Sequence, residues 1–282
     1  MNLKTPHNFE QPESQKEGSI NLDALSFVFC KDDFVRNFYN EKLRELEDKA
    51  KEGQEKALVI KNELENHVDE IKAEVTKRLE KFLPDWIVDQ AKIVFTMNEG
   101  ADFCIDRNTI TVDLGRLLFE QNQTEKVKEG ITHEIFHLWM SEGSEWSDSE
   151  QDEISDQVLK DRIVFKTVNE GLAVLISGQA LETHHTKQGR NFVEYRNESF
   201  ESFNRFLSEK DREALEKIKD EEFQKMGHFY VVGNEIAKVI LQKDGIEPFK
   251  KLIIEARKNP AVFLQRYKEI CSENIELPKI DS

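Results

Sequence analysis

The run Gly130-Ile-Thr-His-Glu-Ile-Phe-His-Leu-Trp-Met140 constrains this chain more than any other stretch. His133 and His137 stand four positions apart, with Glu134 directly after the first. On an α-helix, positions i and i+4 share a face, so both imidazoles can reach one metal ion. Glu134 projects about 100° around from His133, where it can act on water at the metal rather than on the metal itself. Ile135, Phe136, Leu138, Trp139 and Met140 supply an apolar remainder that would bury the helix. Upstream, Thr124 is placed as an N-cap, with Glu125 in the first turn. Val127, Ile131, Ile135 and Leu138 then recur at helical spacing. His-Glu-x-x-His also arises by chance in a Glu-rich chain, so this helical context is what favours a metal site over two ordinary histidines.

Catalytic zinc is usually held by three protein groups and keeps one position open. Glu170 is the expected third ligand. It lies in Val168-Asn-Glu-Gly-Leu-Ala-Val-Leu-Ile176, an otherwise apolar segment in which a lone carboxylate is costly unless paired or bound to a cation. The plainer reading is a Glu at a helix start, complementing the helix dipole. His184 and His185 are weaker candidates, since neighbours on a helix point about 100° apart and only one could join. Asp148, Glu150, Asp152 and Glu153 belong to an acidic stretch, Ser141–Asp161, expected as solvated loop.

His-Glu-x-x-His followed by Asn169-Glu170-Gly171-Leu172-Ala173 resembles the gluzincin metallopeptidases of the MA clan, and compact bacterial zinc-dependent proteases of that type in particular. The interval between the two motifs is longer than in the aminopeptidase branch, and a Gly-x-Met-Glu-Asn motif is missing, so aminopeptidase activity does not carry over. The resemblance spans roughly residues 85–270 as an order of elements, while only the two short motifs are specific. It implies one zinc ion per chain on His133, His137 and Glu170, with Glu134 as the base. It also implies a hydrogen-bond donor late in the chain for the oxyanion, Tyr230 first and His228 second. Packing of either side chain into the core is the other reading of those two. Asn169 would orient a ligand.

A small sheet is expected before the motif helix. Residues 92–97 have strand character, and Phe103–Ile105 with Thr109–Leu114 read as a hairpin across Asp106–Asn108. In gluzincins such a sheet lends its edge to an extended peptide, so the resemblance makes this hairpin a substrate-facing edge. A hairpin that merely covers the helix fits the pattern equally well.

Elsewhere the chain is polar and acidic, with 40 basic and 56 acidic residues and a net charge of −16. That balance disfavours nucleic acid and anionic membrane as partners. Gly171–Leu181, the uncharged stretch around the second motif, is too short to span a bilayer. Cys30, Cys104 and Cys271 form no CxxC pair and read as free thiols. With no apolar leader at the start, a cytoplasmic location is expected.

The expected class is α+β, mostly α. A polar tail covers residues 1–20, and an N-terminal helical region follows at 21–83. The zincin-like unit, with its small sheet and helical C-terminal part, covers 84–282. Leu25, Phe27, Phe29, Phe34, Phe38 and Tyr39 are read within the helical region. Residues 41–80 are expected as one long amphipathic helix or a hairpin turning near Gly53, packed on the catalytic unit or recruiting a protein partner or second copy. Pro84 would end it. The predicted activity is zinc-dependent hydrolysis of peptide bonds in a peptide or protein substrate. Two rivals stay open: a metal-binding regulatory module acting through its helical arm, and a zinc hydrolase of non-peptide amides.

Overall fold

The computed structural model describes residues 26–29, 43–83, 92–96, 103–106, 109–118, 120, 122–141, 155–182, 189, 191–221, 227–273 and 279–280. The polar tail, Leu25, Phe34, Phe38, Tyr39, Pro84, the acidic residues 148–153 and His184–His185 lie outside them.

Four short strands form one sheet in the order β1-β2-β4-β3: β1 Ser26–Phe29, β2 Lys92–Thr96, β3 Phe103–Asp106 and β4 Thr109–Asp113. β3 and β4 pair antiparallel as the expected hairpin, and β4 inserts beside β2 in parallel, leaving β3 at the edge. Ile93 pairs with Ile110 and Phe95 with Val112, and all four are buried, which is the period-2 pattern written in the sequence. Leu114 does not continue β4. Asp113 Oδ1 accepts the Gly115 N–H at 2.8 Å and turns the chain into the short helix α3, Leu114–Leu117, the third helix in chain order.

β1 corrects the helical reading at residues 26–29, the part of 21–42 that lies within the described residues. Ser26–Phe29 pairs in parallel with β2, from Ser26 against Lys92 to Phe29 against Phe95. Phe27, Val28 and Phe29 are strong β-formers, and a ready sheet edge decides in favour of a strand.

The N-terminal helical region holds α1, Leu43–Asn66, and α2, Val68–Glu80. There is no turn at Gly53, through which α1 runs unbroken. The interruption is at His67, whose φ of −107° and ψ of 10° leave the helical region for a single residue. α2 buries Ile71, Val75 and Leu79 and packs on the motif helix.

That helix, α4, spans Gln123–Ser141, and its first turn is held by Asn122, whose Oδ1 accepts the Glu125 N–H at 3.3 Å, rather than by Thr124. α5 covers Asp156–Ser177, capped by Ser155 at its start and left-handed Gly178 at its end. The expected acidic loop is therefore shorter than Ser141–Asp161, because Asp156 and Asp161 are already helical. The described residues that follow are mostly helical, as expected: α6 Phe192–Ser208, α7 Arg212–Ile218, α8 His228–Asp244, α9 Ile246–Ala256 and α10 Ala261–Glu273. The class is α+β and mostly α. One hydrophobic cluster runs from Ala57 through both strands and helices to Ile280. No helix among the described residues is long and apolar enough to cross a membrane.

Candidate metal centre

α4 lies against β3 and β4 on one side and against α2 and α5 on others, so polar residues of its motif are buried with the apolar ones. His133 is 7% exposed and Glu134 9%. Two ion pairs clamp α4 to α2 near its start: Lys128 Nζ with Glu70 at 2.5 Å, and Arg78 with Glu125. Arg78 also donates to the Ser177 carbonyl at the end of α5, at 2.6 Å, so one guanidinium joins three helices.

Glu170 sits well past the middle of α5, which removes the helix-start explanation for it. α5 packs on α4 and, one residue past Glu170, also crosses α8 closely. A Cβ at Gly171 would lie under 3.0 Å from the backbone of Gly233, and one at Gly233 would collide with the Thr167 carbonyl. Only two glycines permit this approach. Glycine inside a helix costs about 1 kcal/mol against alanine, so each is retained for contact and not for helix formation.

The packing of α5 on α4 brings Glu170 to the two histidines. Its Oε2 is 3.2 Å from His133 Nε2 and 3.1 Å from His137 Nε2, and the two Nε2 atoms are 2.9 Å apart. Among the described residues this is the group whose donor atoms could hold a metal ion, all within 4.8 Å of one another. Donors at ~2.1 Å around a tetrahedral zinc ion stand about 3.4 Å apart, close to the spacing seen. Two imidazole nitrogens and a carboxylate oxygen are also the donor types zinc takes. On the far side of the ring, His137 Nδ1 lies 2.9 Å from Asn169 Oδ1. A carbonyl oxygen only accepts, so Nδ1 carries a proton, and Nε2 is the ring atom that could give a lone pair to a metal. His133 Nδ1 is buried without a hydrogen-bond partner among the described residues. The residues present fit a zinc ion.

Burial acts to raise Glu170, yet the two imidazoles hold its carboxyl far below the usual range, so it is a buried anion. Burial lowers His133, and the neighbouring His137 adds to that. Burial opposes a charged His137 too, but Glu170 and Asn169 reverse it and push the ring up to about 9. Glu134 is different: burial pushes its carboxyl up to about 6, with Glu170 adding and His137 opposing.

Of the two late-chain candidates, Tyr230 is in the site. It starts α8, its ring centroid is 6.3 Å from that of His133, and its phenol donates to Glu170. Burial first, then the charges of Glu170 and Glu134, raise that phenol. His228 is not brought to the donor atoms. It is buried, with its ring edge-on to Tyr195 of α6 at 5.2 Å. Sequence reasoning missed Gly233, although a glycine inside an apolar helical run is itself a signal of close approach.

A protein-family model matches residues 27–276, and its description reads "putative zinc dependent peptidase (DUF5700)". The chain belongs to that family. No curated protein and no solved structure matches it. The family description supports zinc as the metal and a hydrolase as the enzyme class, and the His-His-Glu group could hold a metal ion.

Proposed function

We propose that the protein is a gluzincin-type peptidase that hydrolyses peptide bonds, with His133, His137 and Glu170 as the ligands of one zinc ion. The observation that carries this reading is the convergence of two Nε2 atoms and one carboxylate oxygen within 3.2 Å of one another, with Glu134, whose carboxyl burial pushes up to about 6, on the same helix. Zinc, when bound, supplies Lewis acidity that acidifies water and polarises the scissile carbonyl. Glu134 takes a proton from the attacking water and passes it to the leaving amine. A carboxyl near 6 suits both halves of that transfer at neutral pH. The Tyr230 hydroxyl, already beside Glu170, turns to the carbonyl oxygen as negative charge builds there. Asn169 fixes the His137 ring. The edge of β3, with no further strand on it among the described residues, offers backbone groups to which an extended peptide can add as a strand.

The test is cleavage of a mixed peptide library by the zinc-loaded protein and by Glu134→Gln. Cleavage by the first and not the second supports the reading. Equal turnover by both, or turnover of small amides with none of peptides, removes it.

A further inference from the structure

Gly130 and Glu134 are four apart on α4 and so share a stripe of the helix. Helical side chains lean toward the helix N-terminus, over the preceding turn, so the Glu134 carboxyl leans toward the position of Gly130. Gly130 has no side chain to fill that place, and the end of the Phe103 ring fills it: a Cβ at Gly130 would lie under 3.0 Å from three ring atoms. Phe103 opens β3, the edge strand, and is only half-buried. The ring is therefore a partly exposed apolar wall one turn from Glu134, reached because α4 carries a glycine there.

We propose that Phe103 determines specificity, by closing the pocket for the substrate residue that supplies the leaving amine and restricting that residue to small side chains. The inference rests on the peptidase reading. In that reading the C–N bond breaks and Glu134 delivers its proton to the departing nitrogen, so the residue bearing this nitrogen lies nearest Glu134. Its side chain begins two bonds beyond that nitrogen and meets the Phe103 wall. Substrates with Gly, Ala or Ser after the scissile bond fit, whereas Leu and Phe collide with the ring. A purely structural role for Phe103, holding the sheet to α4, would not change which bonds are cut.

The experiment uses the zinc-loaded full chain and peptides varied from Gly to Trp at the position after the cleaved bond, with products read by mass spectrometry. The wild type is expected to favour Gly, Ala and Ser over Leu and Phe by about tenfold or more in kcat/KM. Phe103→Ala should reverse that ratio by about tenfold. Gly130→Ala, whose Cβ displaces the ring without removing it, should move the ratio in the same direction. Melting temperature and zinc content, read on every variant, separate changed selectivity from lost folding, and Phe103→Leu decides if Phe103→Ala does not fold. An unchanged ratio in folded Phe103 and Gly130 variants overturns the proposal. Wild-type cleavage with no side-chain preference overturns it and leaves the peptidase reading standing. No cleavage of any peptide ends both.

Discussion

His133 and Glu134 are neighbours in sequence, and substitutions at the two should fail in different ways. His133→Ala deletes a donor atom and is expected to lose the metal. Glu134→Gln leaves the donor set intact, so zinc content should stay at the wild-type level while kcat falls by about 10²–10⁴. Elemental analysis beside a peptide assay distinguishes them, and loss of zinc from Glu134→Gln would count against a role apart from the metal. Tyr230→Phe removes one donor to the carbonyl oxygen. Its expected cost is about 10²-fold in kcat with zinc content unchanged. At this scale much was legible. His133, Glu134, His137 and Glu170 could be singled out because their spacing or isolation among apolar residues is a local property of the sequence. The choice between Tyr230 and His228 was not legible. They stand two apart on α8 and face opposite ways, and only the packing of α8 on α5 and α6 decides which one meets His133.

Among the elements, α5 packs on α4 and closely crosses α8, and these three helices carry the residues of the centre. Gly233→Ala gains helix propensity but places a Cβ against the Thr167 carbonyl, which is backbone and cannot swing away. The expected net loss is about 3 kcal/mol in urea unfolding, with weakened zinc binding because Glu170 rides on the displaced helix. Retained stability with full zinc affinity would show that the crossing tolerates expansion. A second contact ties α8 to α10. Asp244 is the last residue of α8, where an anion opposes the helix dipole, and Arg266 offsets this with two bonds, Nε to Oδ2 at 2.7 Å and Nη2 to Oδ1 at 2.5 Å. The hydrogen bond from Arg266 is the main cause that holds the Asp244 carboxyl below its usual range, against the effect of burial. The folded state thus binds that proton less tightly than the unfolded chain. The stabilisation is full above about pH 4 and is lost as pH falls through the lowered folded value. Asp244→Asn should therefore cost about 1 kcal/mol at pH 7, and the difference from wild type should shrink in unfolding curves below about pH 4.

Seen at this scale, sequence and structure part where pairing or packing is long-range. The β3–β4 hairpin was readable because alternation in Ile110 and Val112 is local. β1 was not: Ser26–Phe29 becomes a strand by meeting β2, which lies far along the chain. The break at His67 replaces a turn at Gly53 for a related reason. Glycine marks a possible break in a helix, but the burial of Ala57, Ile60 and Leu64 on one side and of Ile71, Val75 and Leu79 on the other sets where it occurs.

For the whole molecule, one hydrophobic cluster connects the N-terminal helices, the sheet and the helices that carry the donors. Metal binding should therefore stabilise the fold globally and not only a local loop. Zinc at a thousand times its dissociation constant would add about 4 kcal/mol, so chelation should lower the melting temperature, and zinc added back should restore it. A melting temperature indifferent to chelator would mean that the centre is not coupled to the core. The acidic balance of the chain, at −16, was legible from composition and sets no part of the centre, whose chemistry is local.

The central claim is that His133, His137 and Glu170 hold one zinc ion together. Elemental analysis of the purified wild type beside Glu170→Ala tests it most directly. The account predicts one zinc per wild-type chain and a large loss in the folded variant. A folded wild type without zinc, or full zinc retention in Glu170→Ala, would contradict it.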